Sequence, residues 1–103
     1  QQNKKEKRVR QLLTEKGYPE ALIEHLVWCL SYVWLDNRHR RRVHKKIGES
    51  REEVEAKIEQ AFLLMLRHQD IAGLLISNKK KATLAYQDAV EATKNWNIQA
   101  LME

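Results

Sequence analysis

The densest chemistry in the chain is a nine-residue block, Arg38-His39-Arg40-Arg41-Arg42-Val43-His44-Lys45-Lys46. It holds six Arg or Lys, two His and no acid. Cations at that density suit a polyanion. Arginine outnumbers lysine four to two, and the planar guanidinium fork takes phosphate oxygens two at a time. Arg38, Arg40, Arg41, Arg42, Lys45 and Lys46 are therefore the expected phosphate contacts for a nucleic acid, DNA or RNA. Such contacts release condensed counterions, so binding should weaken with salt at a log–log slope of about −4 on duplex DNA. Lys79, Lys80 and Lys81 form a secondary basic patch, and Lys4, Lys5, Lys7, Arg8 and Arg10 could extend it. The competing reading is a solvated basic face, neutralised by Glu49, Glu52, Glu53, Glu55 and Glu59 just across Gly48.

Those acids raise a second chemistry. Glu52-x-x-Glu55 and Asp88-x-x-Glu91 each put two carboxylates one helical turn apart, where hard oxygens can share a cation. The pattern resembles the all-α nucleotide pyrophosphohydrolases of the MazG type. These bind magnesium through Glu-x-x-Glu on one helix and Glu-x-x-Asp on a later one. Lys45-Lys46-Ile47-Gly48-Glu49 is similar to the start of such a helix in their histidine-pathway relatives. The resemblance implies a magnesium-dependent hydrolase of nucleoside triphosphates as a third reading. Here the second pair is reversed in order and comes late. Glu in a first helical turn also serves the dipole and the cap.

Gln69-Asp70-Ile71-Ala72, Leu75-Ile76-Ser77-Asn78 and Lys81-Ala82-Thr83-Leu84 resemble the helix–turn–helix of many bacterial regulators. That resemblance implies DNA contacts from Asn78, Lys79, Lys80 and Thr83. Gly73 directly follows Ala72, whereas the family's glycine belongs in the turn. Two bundle helices joined by a polar corner is the favoured reading of this stretch.

Other catalytic and metal arrangements are weak. His25 and Cys29 share a helix face, but no further cysteine exists to complete a zinc site. Asp36-x-x-His39 occurs once, and a di-iron bundle needs two Glu-x-x-His helices. Cys29 lies in an apolar run, where burial raises a thiol pKa and lowers its reactivity. Ser31 has no convincing base. Gly17, Gly48 and Gly73 are isolated, so no loop cradles a phosphate. No cofactor, resident metal or small-molecule substrate is expected, and a non-enzymatic role is favoured.

The elements that must carry these residues are helical. Three glycines and one proline are too few for the turns of a β sandwich or barrel. Val9, Leu12 and Leu13 make a narrow stripe in a helix near 4–16, with residues 1–8 basic enough for a flexible arm. Pro19 opens a second helix near 19–46, with a break allowed at 36–38. Leu22, Leu26, Cys29, Leu30 and Val33 form one stripe of it, and Ile23, Val27, Leu30 and Trp34 a second. Ser50-Arg51-Glu52-Glu53 fits a capping box and starts a third helix near 51–77. Val54, Ile58, Ala61, Met65, His68, Ala72 and Leu75 follow along its seam at alternating steps of four and three. A fourth helix near 79–95 carries Ala82, Ala85, Tyr86, Ala89, Thr93 and Trp96 on one face.

The expected fold is therefore all-α, one domain over 1–103, a bundle of about four helices completed by dimerisation. The doubly striped helix drives that last expectation, since a small monomer buries about one stripe per helix. Leu22, Leu26, Trp28, Leu30 and Trp34 are the expected interface of a twofold homodimer, with tryptophan as its anchor.

Length and charge set the outer bounds. At 103 residues and 43% hydrophobic, the chain suits one small core. One cysteine excludes an internal disulfide framework. Ala21–Leu35 is the richest apolar run, but it holds Glu24 and His25 and falls short of the ~20 residues that span a bilayer. No signal peptide or membrane association is expected, and the default location is cytoplasmic. The net charge of +5 conceals an asymmetry. Residues 1–48 hold 12 basic and 5 acidic side chains, whereas 49–103 hold 7 and 9. The leading expectation is a basic helical binding protein on nucleic acid. The alternative is a helical protein–protein adaptor without nucleic acid.

Overall fold

A computed structural model describes residues 2–102, and all regular structure in them is α-helical. The helices are α1 (Gln2–Glu15), α2 (Glu20–Val33), α3 (Asn37–Ile47), α4 (Arg51–Leu66), α5 (Gln69–Leu75), α6 (Lys79–Thr93) and α7 (Ile98–Leu101). Among the described residues seven helices replace the expected four or so, because two long periodic stretches are each divided by a polar corner and the tail adds α7. Of residues 1–8, expected as a flexible arm, 2–8 form the opening turns of α1 and residue 1 lies outside the described residues.

The first division falls between α2 and α3. Asp36 is extended and accepts from the His39 backbone N–H at 2.9 Å, so it caps a new helix instead of continuing the old one. That bond holds the Asp36 carboxyl below its usual range. The second division falls inside the seam of alternating fours and threes. His68 is extended (φ −102°, ψ 119°) and opens α5. Two contacts hold that corner against the α1–α2 loop: Tyr18 Oη to His68 Nε2 at 2.7 Å, and Lys16 Nζ to Asp70 Oδ2 at 2.8 Å.

Two expected punctuation marks are in place. Ser50 and Glu53 form a reciprocal capping box at the start of α4. Gly48 ends α3 with φ 72°, a left-handed conformation that costs glycine nothing and a side-chain residue about 1 kcal/mol or more.

Packing explains why α2 is apolar around most of its girth. It lies between α1 on one side and α4 on the other. The core joins Val9, Leu12 and Leu13 of α1, Ile23, Leu26, Val27, Cys29 and Leu30 of α2, Ala61, Leu64 and Met65 of α4, and Ile71 of α5. Each large aliphatic in that set contributes roughly 1.5–3 kcal/mol by leaving water. α4, α5 and α6 pack against one another, and α5 also touches α1. Ala82, Ala89 and Thr93 are the buried face of α6, and their small size lets it approach closely. Thr93 Oγ1 donates to the Ala89 carbonyl and accepts from Arg67 Nε at 3.0 Å, so this buried hydroxyl is fully paired.

This arrangement shows how far the residues of the expected interface are packed within one chain. Leu26 and Leu30 are each 1% exposed inside a single chain. Leu22 and Trp34 pack against the same core. Most of both stripes of α2 packs against the chain's own helices, while Leu22, Val33 and Trp34 stay half-buried. Trp28, at 37% exposure, is the most exposed of the five. No described helix is long and apolar enough to cross a membrane.

Candidate nucleic-acid interface

The basic block forms a helix of its own. α3 buries none of its residues, and it is absent from the main helix–helix contacts that build the body. What holds it is polar and aromatic. Arg40 donates through Nε to the Tyr32 carbonyl at 3.2 Å and through Nη2 to the Val33 carbonyl at 2.6 Å. Both carbonyls lie in the last turn of α2, and that of Tyr32 also accepts from the Leu35 N–H at 3.1 Å, so Arg40 adds a side-chain cap to that end of the helix. Its guanidinium also lies over the Tyr32 ring, 5.3 Å from the centroid. Tyr32 Oη meets His44 Nε2 at 2.6 Å, and the two rings stand edge to face. The other face of this cluster is Trp28, stacked on Tyr32 at 5.6 Å.

Helical geometry then sorts the six cations. Asn37, Arg40, Arg41 and His44 follow at i, i+3, i+4 and i+7 and share the face turned toward the body. They line an open cleft of about 220 Å³ with Tyr32 of α2 and Arg51 and Glu55 of α4. At 100° per residue, Arg38, Arg42, Lys45 and Lys46 fall within an arc of about 100° on the neighbouring face. All four are exposed.

The acidic stretch that follows does not neutralise them. Glu49 pairs with Lys57 at 2.6 Å and Glu55 with Arg51 at 3.1 Å, both within the α4 region. Glu53 is engaged by the backbone and side chain of Ser50, which hold its carboxyl below the usual range. Among the described residues none of the six α3 cations has an acidic partner within ion-pair distance. Nor does any of Lys79, Lys80 and Lys81, which are exposed in the first turn of α6. Three lysines at that end oppose the helix dipole.

Among the described residues no three His, Cys, Asp or Glu side chains converge as metal ligands. Glu52, Glu55, Asp88 and Glu91 belong to no such group among the described residues, and Glu91 pairs with Lys94. Cys29 Sγ lies 3.8 Å from His25 Nε2, but burial pushes its thiol up to about 11. At neutral pH it is a thiol and not a nucleophilic thiolate. The α5–α6 corner does join a short helix to a longer one through Ile76–Asn78, with Asn78 accepting from the Lys81 N–H to cap α6.

Sequence reasoning missed three structural members of this region. Tyr32 lies outside both stripes read in α2, yet it is the anchor of α3. His44 and Arg51 carried no signal beyond their charge. No family model matches the chain, and no curated protein or solved structure matches it.

Proposed function

We propose that this chain is a non-enzymatic nucleic-acid-binding protein that lays the outer face of α3 along phosphates. One observation carries the reading: Arg38, Arg42, Lys45 and Lys46 stand on one exposed arc of a helix that buries nothing, without acidic partners. A cationic ridge of that kind repels itself, at a cost of some tenths of a kcal/mol per like-charge pair at helical spacing. Phosphates would relieve the repulsion and add counterion release. Arg40 is assigned a different part. Its bonds to the α2 carbonyls make it the residue that sets the position of α3, while the outer four make the contacts. Lys79, Lys80 and Lys81 are a secondary contact patch. A cytoplasmic location goes with this reading.

The test is a fluorescence-anisotropy titration of labelled duplex and single-stranded oligonucleotides at low and rising salt. The wild-type chain should bind both at low salt without strong sequence preference. Charge reversal of Arg42 and Lys46 to Glu should abolish binding while far-UV circular dichroism stays unchanged. Absence of binding at low salt would reject the proposal.

The second reading is a helical adaptor or homodimer, favoured by one feature, the exposed Trp28 indole stacked on Tyr32. Light scattering distinguishes it: a dimer at micromolar concentration that W28A converts to a monomer supports it.

A further inference from the structure

We propose that the cleft between α3 and α4 is a binding site for a phosphate monoester, separate from the outer arc of α3. The cleft is walled by Arg40 and Arg41 on one side and Arg51 and Glu55 on the other, with Tyr32 and His44 between. Its volume of about 220 Å³ is several times the ~30 Å³ share of one water. It therefore has room for a phosphate and the first atoms of its ester.

Charge selects the ligand. Three guanidinia less one carboxylate leave a formal +2 around the opening. A phosphate monoester carries about −1.5 to −2 at neutral pH and matches that charge. A backbone phosphodiester carries only one negative charge and matches it poorly. Guanidinium forks also present paired N–H donors to paired oxygens, which a monoester, with three free oxygens, can meet from more than one side.

One polar atom of a lining residue lacks a hydrogen-bond partner. His44 Nδ1 is buried and makes no hydrogen bond, while Nε2 of the same ring is engaged by the Tyr32 hydroxyl. When Tyr32 donates to Nε2, the neutral imidazole carries its proton on Nδ1 as an unsatisfied donor. An unsatisfied buried donor is costly, so a small turn of the ring that exposed Nδ1 to a phosphate oxygen in the cleft would be favoured. Arg40 is already fixed by the Tyr32 and Val33 carbonyls, so little side-chain entropy remains to be lost on binding.

The proposal does not depend on the outer arc. Its ligand could be the 5′-terminal phosphate of a strand or a free phosphorylated metabolite, and the chemistry recognised is the same. The first probe is inorganic phosphate, titrated by calorimetry and by NMR of the His44 imidazole, with chloride at matched ionic strength as control. Saturable binding that shifts His44 and weakens about tenfold or more in R51Q is expected. Arg51 is highly exposed and off α3, so R51Q leaves the fold and the outer arc intact. The second probe compares a 5′-phosphorylated oligonucleotide, its 5′-hydroxyl counterpart and a nucleoside monophosphate. Preference for the phosphorylated strand over both others, lost in R51Q, identifies a strand end. Equal affinity for the nucleoside monophosphate and the phosphorylated strand identifies a free metabolite. Binding of the 5′-hydroxyl strand reports on the outer arc alone, so the two proposals fail separately. Phosphate that behaves like chloride and an R51Q variant indistinguishable from wild type would overturn this one.

Discussion

The Tyr32 hydroxyl lies 2.6 Å from His44 Nε2, across the corner that separates α2 from α3. Tyr32 belongs to the buried set of α2, whereas His44 is half-buried on a helix with no fully buried residue. The same tyrosine stacks on Trp28 and lies under Arg40. One phenol ring thus couples the core to the charged helix, and the attachment is polar and aromatic where other helices use aliphatic packing.

Removing that attachment should loosen α3 without unfolding the body. Y32F deletes one hydrogen bond and leaves the stacking, at a cost of about 1 kcal/mol. Y32A deletes both. Hydrogen exchange is the measurement: α3 amides should lose protection in Y32A, while those around Leu13, Leu26 and Met65 keep theirs. Uniform loss of protection would show that α3 belongs to the same cooperative unit.

Arg40 and Arg42 are two residues apart and should behave as opposites. Arg40 donates to two α2 carbonyls, and charge-assisted bonds of this kind, partly exposed, are worth about 1–2 kcal/mol together. R40A should lower the urea midpoint accordingly. Arg42 touches no acid, so R42A should stay within about 0.5 kcal/mol of wild type and weaken oligonucleotide binding instead. Equal stability effects in the two variants would contradict the assigned division of labour.

Stability should fall in mild acid because of His68. Burial, chiefly, and the nearby Lys16 and Arg67 charges lower its pKa to about 4, from an ordinary value of 6.5. The unfolded chain therefore binds a proton that the folded chain refuses between those two values. Stability is full above pH 6.5 and declines as pH falls toward 4, by roughly 1–3 kcal/mol after allowance for partial exposure. Asp70, held below its usual range, adds a further loss only at lower pH. Thermal melts of wild type and H68Q across pH 7 to 4 test this. The wild-type decline should shrink in H68Q.

The all-helical class, the Ser50 capping box and the Gly48 stop were legible in the sequence because each rests on local chemistry. The corner at His68 was not. Its apolar spacing runs through the turn unbroken, and what bends the chain is Tyr18 and Lys16, some fifty residues away in sequence. The partner of α2's second stripe was equally hidden. Two stripes on one helix state that two surfaces must cover it, but not that α1 and α4 of the same chain do so. The basic block was found at once, since charge density needs no fold. Its division into an anchor, a cleft wall and an outer arc required knowing where α3 begins and what Arg40 touches.

The salt dependence of binding should resolve how many of these cations meet phosphate. Four outer-arc contacts predict a slope between about −3 and −4 on duplex DNA. R42A/K46A should reduce its magnitude by about two. Lys79, Lys80 and Lys81 give the stricter comparison, because they sit at the positive end of the α6 dipole and on no ion pair among the described residues. Replacing all three with Gln should raise the melting temperature, each relieved charge contributing a few tenths of a kcal/mol. If α6 shares the nucleic-acid surface, the same variant loses between one and three units of slope. A stabilised triple variant with an unchanged slope would confine the interface to α3.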